Sequence, residues 1–125
     1  MLVVDDDSAL LAVVLEDLRK YGFDVVGARS DRAAYEALES APGFDVVVVD
    51  INLGLGTTGF DVARAARQGS PKVRVIYMSG EANAQSWLAF GVRGSDYISK
   101  PFPLDKLNAL LRHDLDRDEE RNPVG

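Results

Sequence analysis

Four consecutive valines, Val46 to Val49, followed directly by Asp50, constrain the fold of this chain more than any other feature. β-Branched residues favour extended backbone, and an unbroken apolar run is typical of a strand that is buried on both faces. Such strands occur in parallel sheets whose two faces are covered by helices. The run therefore predicts a central parallel strand with the carboxylate of Asp50 at its carboxyl end.

The rest of the chain alternates between short apolar runs and segments with apolar residues at helical spacing. The predicted strands are 2–4, 23–28, 44–49, 73–78 and 97–99. The predicted helices carry the apolar groups Leu11/Val14/Leu15/Leu18, Ala34/Ala37/Leu38, Phe60/Ala63/Ala66, Ala84/Trp87/Leu88 and Leu104/Leu107/Leu111. Five strands alternating with five helices predict an α/β fold, a doubly wound parallel sheet with helices on both faces.

Length and composition limit the class of protein. A chain of 125 residues fits one domain, which we expect at 1–115 with a polar tail at 116–125. With no cysteine in the sequence, disulfides and thiolate sites are excluded, so any metal must bind oxygen ligands. A net charge of −6 argues against direct nucleic-acid binding. No apolar run is long enough for a membrane span or signal peptide, so we expect a cytoplasmic protein with no membrane partner.

Polar residues follow four of the five predicted strands and should meet at one edge of the sheet. They are Asp5 and Asp6, Asp50, Ser79 and Lys100. Ligands of doubly wound sheets bind at the carboxyl ends of the strands, so this edge is the predicted site. Carboxylates brought together repel each other unless a pKa rises or a cation binds, and Mg²⁺ suits a few oxygen ligands with room for water.

The charges of this group fit phosphoryl transfer. Asp5, Asp6, Asp50 and Lys100 sum to −2, which one Mg²⁺ would neutralise. Phosphoryl transfer needs a nucleophile, here Asp50, and positive or hydrogen-bonding groups for the transferred oxygens, here Lys100 and the Ser79 hydroxyl. Taken singly, the acids could be a solvated helix start or turn, and Ser79-Gly80 an ordinary turn. It is their combination that predicts chemistry.

Four segments together resemble the receiver domains of two-component response regulators over almost the whole chain. They are Val3-Val4-Asp5-Asp6-Asp7, Val48-Val49-Asp50-Ile51-Asn52, Ser79-Gly80-Glu81 and Lys100-Pro101-Phe102. The resemblance implies a flavodoxin-like fold with strand order 2-1-3-4-5. It also implies direct Mg²⁺ ligation by Asp6, Asp50 and the Asn52 carbonyl, with Asp5 acting through water, and a cis Lys100-Pro101 bond.

The resemblance further implies a signalling switch rather than an enzyme with a separate substrate. Such a domain catalyses its own phosphorylation, with a sensor histidine kinase or histidine phosphotransfer protein as donor, and its own slow dephosphorylation. Ser79 and Tyr97 match the family's switch pair, which would alter the surface of the fourth helix, fifth strand and fifth helix. That face is also where we expect a homodimer, if one forms. The downstream effector is unknown, and the domain could be free-standing or part of a larger protein.

Some residues depart from the family pattern, and two other functions remain open. The loop from Gly54 to Gly59 lacks the proline and the acid before glycine that many receivers have, and Gly80 offers no side chain beside the site. A phosphatase of the haloacid-dehalogenase type would also place a nucleophilic Asp after a central strand, but it needs a second Asp where this chain has Asn52. A flavodoxin-like ligand-binding module would need hydroxyls and free N–H groups where this chain is acidic.

Overall fold

The protein forms one five-stranded parallel sheet between two layers of helices. The structure, a computed structural model, describes residues 1–41, 43–54, 59–80 and 84–121, with side chains up to residue 112. The elements in chain order are β1 (Leu2–Val4), α1 (Ser8–Lys20), β2 (Val26–Ala28), α2 (Asp31–Ser40), β3 (Val46–Asp50), α3 (Gly59–Gly69), β4 (Arg74–Ser79), α4 (Ala84–Phe90), β5 (Asp96–Ser99) and α5 (Leu104–Arg121).

The strand order is β2-β1-β3-β4-β5, all parallel, which confirms the fold class and the order implied by the resemblance. β3 lies at the centre of the sheet, as its valine run predicts. Its side chains alternate between the two faces: Val47 and Val49 join one apolar cluster, and Val46 and Val48 join the other. A strand with apolar packing on both faces needs apolar residues at every position, which is why the run is unbroken.

Each apolar cluster is closed by helices on one side of the sheet. Residues of α1 and α5, including Leu11, Leu18 and Leu107, pack on the face of Val48. Residues of α2 and α3 pack on the opposite face, with Trp87 of α4 at the margin of that cluster. Right-handed crossovers between parallel strands produce this two-sided arrangement.

Most predicted helices and strands occur where expected, with differences at their ends. The second strand begins at Val26 rather than Phe23, because the N–H of Phe23 donates to the Leu18 carbonyl and closes the end of α1. Gly22 follows that helix end with a φ of 90°, a left-handed conformation that glycine adopts without steric cost. α5 extends to Arg121, across the expected boundary at 115, and the division into domain and tail stays a prediction.

Among the described residues, no helix is long and apolar enough to cross a membrane. Residues 55–58 of the loop that departs from the family pattern, and Glu81 of the matching segment Ser79-Gly80-Glu81, lie outside the described residues.

Candidate functional site

The carboxyl ends of β1 and β3 bring three carboxylates together. β1 and β3 are paired neighbours with Val4 beside Val49, so the residues that follow, Asp5 and Asp50, lie side by side. One carboxylate oxygen from each of Asp5, Asp6 and Asp50 lies within 4.8 Å of the other two. Asp5 is 1% exposed and Asp50 6% exposed, while Asp6 is open to solvent. The predicted acidic cluster is therefore present, with two buried members and one accessible member.

The third acid after β1 has a different role. Asp7 is the N-cap of α1, and its Oδ1 accepts hydrogen bonds from the N–H groups of Ala9 and Leu10, both at 3.1 Å. These bonds satisfy two of the backbone donors that a helix start leaves unpaired. The N–H of Asp7 in turn donates to Asp5 Oδ1 at 2.9 Å. Asp7 thus begins the helix and holds Asp5 in place, and Asp5 and Asp6 are left to form the site.

Lys100 supplies the positive charge of the cluster. It follows β5, and the bond to Pro101 is cis, as the resemblance implied. Its Nζ lies 2.9 Å from Asp50 Oδ2, to which it donates a hydrogen bond, and 2.7 Å from Asp5 Oδ2 as an ion pair. Burial lowers the pKa of Lys100, but its contacts with Asp5 and Asp50 outweigh this, and the net pKa is raised. The lysine therefore stays charged at neutral pH.

The carboxylate of Asp50 is held from both sides. Its Oδ2 accepts the hydrogen bond from Lys100, and its Oδ1 accepts a hydrogen bond from the N–H of Asn52 at 3.1 Å. Burial raises the pKa of Asp50, the bonds from Lys100 and Asn52 oppose that rise, and the nearby charge of Asp5 adds to it. The net pKa is raised, so burial outweighs the two hydrogen bonds and the negative charge on Asp50 carries a cost. A further cation would relieve that cost.

The residues present suit a divalent cation with oxygen ligands. Asp5 Oδ2 is buried and forms an ion pair with Lys100 Nζ, and the single positive charge of that lysine is shared with Asp50, so it balances only one of the two carboxylate charges. Asp6 Oδ2 accepts a hydrogen bond from the Gly54 N–H at 3.2 Å, which fixes the loop after β3 against the acidic cluster. Asn52 is exposed in the same loop. Hard oxygen donors with one open side fit Mg²⁺.

The predicted switch residues lie on the two strands beyond β3. Ser79 ends β4 and is fully buried, one position past Met78, which pairs with Asp50. Its carbonyl accepts the Lys100 N–H at 2.7 Å, so the lysine is tied to the serine backbone. Tyr97 is half-buried on β5 and stacks on Trp87 of α4. The structure thus places Ser79 beside the acidic cluster and Tyr97 at the α4 side of the sheet.

Two features of this region were missed by sequence reasoning. Gly59, treated there only as the end of a loop, packs on the carbonyl of Asp50: a Cβ at this position would overlap the Asp50 oxygen. A glycine at the first position of a helix is the only signal for it in the sequence. The contact of Trp87 with Tyr97 was also missed, because α4 and β5 are joined through a turn whose path no local pattern reveals.

Gly80 follows β4 next to this site. A Cβ there would meet no atom of the described residues within 4 Å, so space is open beside Ser79.

Comparisons with known proteins agree on one family. The family model of the response regulator receiver domain matches residues 1–112. The regulatory protein VirG of Agrobacterium tumefaciens (strain 15955) is 34% identical over 90% of this chain and 42% of its own length. The transcriptional regulatory protein PrrA of Mycobacterium bovis is 36% identical over 90% of this chain and 48% of its own length. The chain thus spans less than half the length of these two relatives.

Solved structures of similar length give the same result. A response regulator receiver protein from Sinorhizobium medicae WSM419 superposes with a TM-score of 0.85 at 35% identity, covering 92% of both chains. A CheY-like receiver domain protein from Methanospirillum hungatei JF-1 gives a TM-score of 0.82 at 26% identity, covering 96% of this chain and 95% of its own.

Proposed function

This chain belongs to the response regulator receiver domain family, and we propose that it is the phosphoacceptor of a two-component phosphorelay in which Asp50 takes the phosphoryl group. The observation that carries the proposal is the contact of Lys100 Nζ with Asp50 and Asp5 at 2.9 and 2.7 Å, beside a third carboxylate. Asp50 is a buried carboxylate paired with a lysine, and Asp6 leaves the same edge of the sheet open to solvent. These are the groups needed to accept a phosphoryl group from a donor.

Mg²⁺, held by Asp6, Asp50 and the Asn52 carbonyl with Asp5 acting through water, would supply positive charge to the phosphoryl oxygens. Asp50 is the nucleophile: a carboxylate oxygen forms the O–P bond as the donor's N–P bond breaks, and the electron pair of that bond stays on the donor imidazole. Lys100 then moves its hydrogen bond from Asp50 to a phosphoryl oxygen. The Ser79 hydroxyl donates to another oxygen of the same group.

The charge change at Asp50 gives the switch its driving force. Phosphorylation replaces one negative charge by roughly two, so the Ser79 hydroxyl gains a stronger acceptor than the carboxylate. The conformation in which Ser79 reaches that acceptor is favoured, and Tyr97 turns inward as Ser79 moves. The surface of α4, β5 and α5 is then the output face and the site of any homodimer.

Partners follow from the donor chemistry. We infer a sensor histidine kinase or a histidine phosphotransfer protein as the donor, in the cytoplasm, and an effector protein as the receiver of the signal. Direct nucleic-acid binding is not part of the proposal, because the chain carries a net charge of −6. The domain turns over no separate substrate. It catalyses its own phosphorylation and slow dephosphorylation.

The proposal is tested by incubating the protein with acetyl phosphate, with and without Mg²⁺, and measuring intact mass. Wild type should gain one phosphoryl group only with Mg²⁺, and Asp50→Ala should gain none. Asp45→Ala is the matched control, because Asp45 is an exposed acid next to the opposite end of β3. A wild type without Mg²⁺-dependent mass gain would refute the proposal, and a gain retained in Asp50→Ala would move the acceptor to another residue.

A further inference from the structure

Trp87, the single tryptophan of the chain, is oriented by contacts that the proposed phosphotransfer does not use. Its ring stacks on Tyr97 with centroids 5.5 Å apart and an interplanar angle of 21°. Its Nε1–H donates to Ser95 Oγ at 3.0 Å, and the Ser95 hydroxyl donates to the Val92 carbonyl at 2.6 Å. The indole is therefore anchored at its polar end while its face covers the tyrosine.

Gly91, at the end of α4, makes room for this orientation. A Cβ at position 91 would lie 2.6 Å from Trp87 Cδ1 and 3.0 Å from its Nε1. It would also lie 2.7 Å from the Trp87 carbonyl oxygen, which accepts the Gly91 N–H at 2.8 Å. An alanine Cβ would therefore collide with the edge of the indole and with the backbone at the end of α4, and either the ring or the helix end would have to shift. The stack therefore depends on a glycine in the next turn.

The turn that carries Ser95 is also tied to the core of the sheet. The Tyr77 hydroxyl accepts a hydrogen bond from the Val92 N–H at 3.2 Å, and Tyr77 is fully buried on β4, two residues before Ser79. The Tyr77 ring contacts Phe60, in the first turn of α3, with centroids 5.2 Å apart. The partners that orient Trp87 are thus fixed to the strand that ends at the proposed switch serine.

We propose that Trp87 is a positioning residue that holds Tyr97 in its half-buried position while Asp50 is unphosphorylated. This inference rests on the proposed function. In this proposal the inward turn of Tyr97 carries its ring away from the indole, so the stack belongs to the unphosphorylated state. An interaction present in one state alone shifts the equilibrium toward that state by its full free energy. Trp87 therefore sets how readily the domain switches.

The inference predicts a direction that simple packing does not. Removing the stack should make the phosphorylated conformation easier to reach, because only the unphosphorylated state loses a contact. Loss of one stacked aromatic pair or one hydrogen bond should shift the equilibrium between the unphosphorylated and phosphorylated conformations by roughly 2- to 10-fold. Trp87→Leu, Gly91→Ala and Ser95→Ala should each raise the apparent affinity for beryllofluoride with Mg²⁺ by that factor. Ser95→Thr, which keeps the hydroxyl, should restore the wild-type affinity.

The closing experiment combines two measurements on the full chain. Beryllofluoride affinity is measured by titration calorimetry for wild type, the stack variants and the control Gln85→Ala, an exposed residue of α4. For wild type and the variants that keep the indole, Trp87 fluorescence emission is recorded in a parallel titration over the same beryllofluoride concentrations. In wild type we expect the emission to change at the same beryllofluoride concentration as binding. In Asp50→Ala we expect neither binding nor a change.

The outcomes separate the two proposals. Binding that needs Asp50 but leaves Trp87 emission unchanged would overturn the positioning role and leave the phosphoacceptor intact. The role would also be refuted by stack variants that melt at lower temperature yet keep wild-type affinity, because this is the result of packing alone. If wild type does not bind beryllofluoride through Asp50, the proposed function itself fails.

Discussion

Replacing Gly59 with alanine should disturb the fold at the proposed phosphoacceptor. Gly59 begins α3, and its N–H donates to the Ile51 carbonyl at 2.6 Å. An alanine Cβ would overlap the carbonyl oxygen of Asp50 and lie 2.8 Å from its carbonyl carbon and 3.1 Å from Ile51 Cα. All three are backbone atoms, so no side chain can rotate to make room. Either α3 must move outward or the end of β3 must shift.

The size of the effect follows from the rigidity of that strand. Overpacking in a close-packed interior costs about 1–3 kcal/mol, and the upper end applies because β3 is paired on both sides, with β1 and β4. For 125 residues an unfolding entropy of about 2.1 cal/mol/K per residue gives about 0.26 kcal/mol/K. A loss of about 3 kcal/mol then lowers the melting temperature by about 11 °C.

Thermal unfolding followed by circular dichroism measures this shift. The matched control is Gly69→Ala at the other end of α3, where a Cβ would meet nothing within 4 Å and alanine favours helix. We expect this control to melt at or above the wild-type temperature. A Gly59→Ala protein that melts within about 2 °C of wild type, or an equal loss of stability in both variants, would refute the predicted backbone clash.

Three further predictions concern the charged cluster. Burial raises the pKa of Asp50, so its negative charge destabilises the fold at pH 7. Asp50→Asn removes that charge and should stabilise the protein at pH 7 in the absence of Mg²⁺. In urea unfolding measured across pH, this gain should vanish as the pH falls toward the ordinary pKa of an aspartate, about 3.9. Mg²⁺ at ten times its dissociation constant should stabilise wild type by about 1.4 kcal/mol, and Asp6→Ala should lose this stabilisation in a melting assay with an EDTA control. Lys100→Met should cost about 1–3 kcal/mol at pH 7, because Asp5 would keep a buried charge without its partner. Since the pKa of Lys100 is raised in the fold, urea unfolding should show this difference at neutral pH and its loss at strongly alkaline pH.

These predictions would be contradicted by specific results. A stability gain of Asp50→Asn that stayed constant down to acid pH would mean that the ionisation of Asp50 is not its cause. Equal Mg²⁺ stabilisation of wild type and Asp6→Ala would place the cation elsewhere. A Lys100→Met protein as stable as wild type would mean that the ion pair with Asp5 adds nothing to the fold.

Much of the fold could be predicted because its signals are local. The run from Val46 to Val49 predicted a central strand, and β3 is indeed paired on both sides with valines buried in both clusters. The prediction was less accurate at strand ends, as at Phe23, where a hydrogen bond to Leu18 closes a helix instead of extending the strand. Strand ends depend on which backbone groups find partners across the sheet, and a single segment does not reveal this.

The candidate site followed from topology more than from any motif. Once five parallel strands are placed in one sheet, residues after their carboxyl ends must share an edge, so Asp5, Asp50 and Lys100 could be grouped in advance. The sequence could not tell that Asp7, rather than Ser8, caps α1, since both residue types can do so. Only the geometry separated this cap from the two acids that face the site.

The sequence by itself determined the alternation of strands and helices and the acid at the end of the central strand, because residue spacing and backbone preference act over a few neighbours. The tertiary structure decided the contacts between residues distant in sequence. These include the reach of Lys100 to both Asp50 and Asp5, the fit of Gly59 against the Asp50 carbonyl, and the stack of Trp87 on Tyr97. Such contacts depend on how whole elements pack, and a difference of one ångström there determines whether two groups bond or collide.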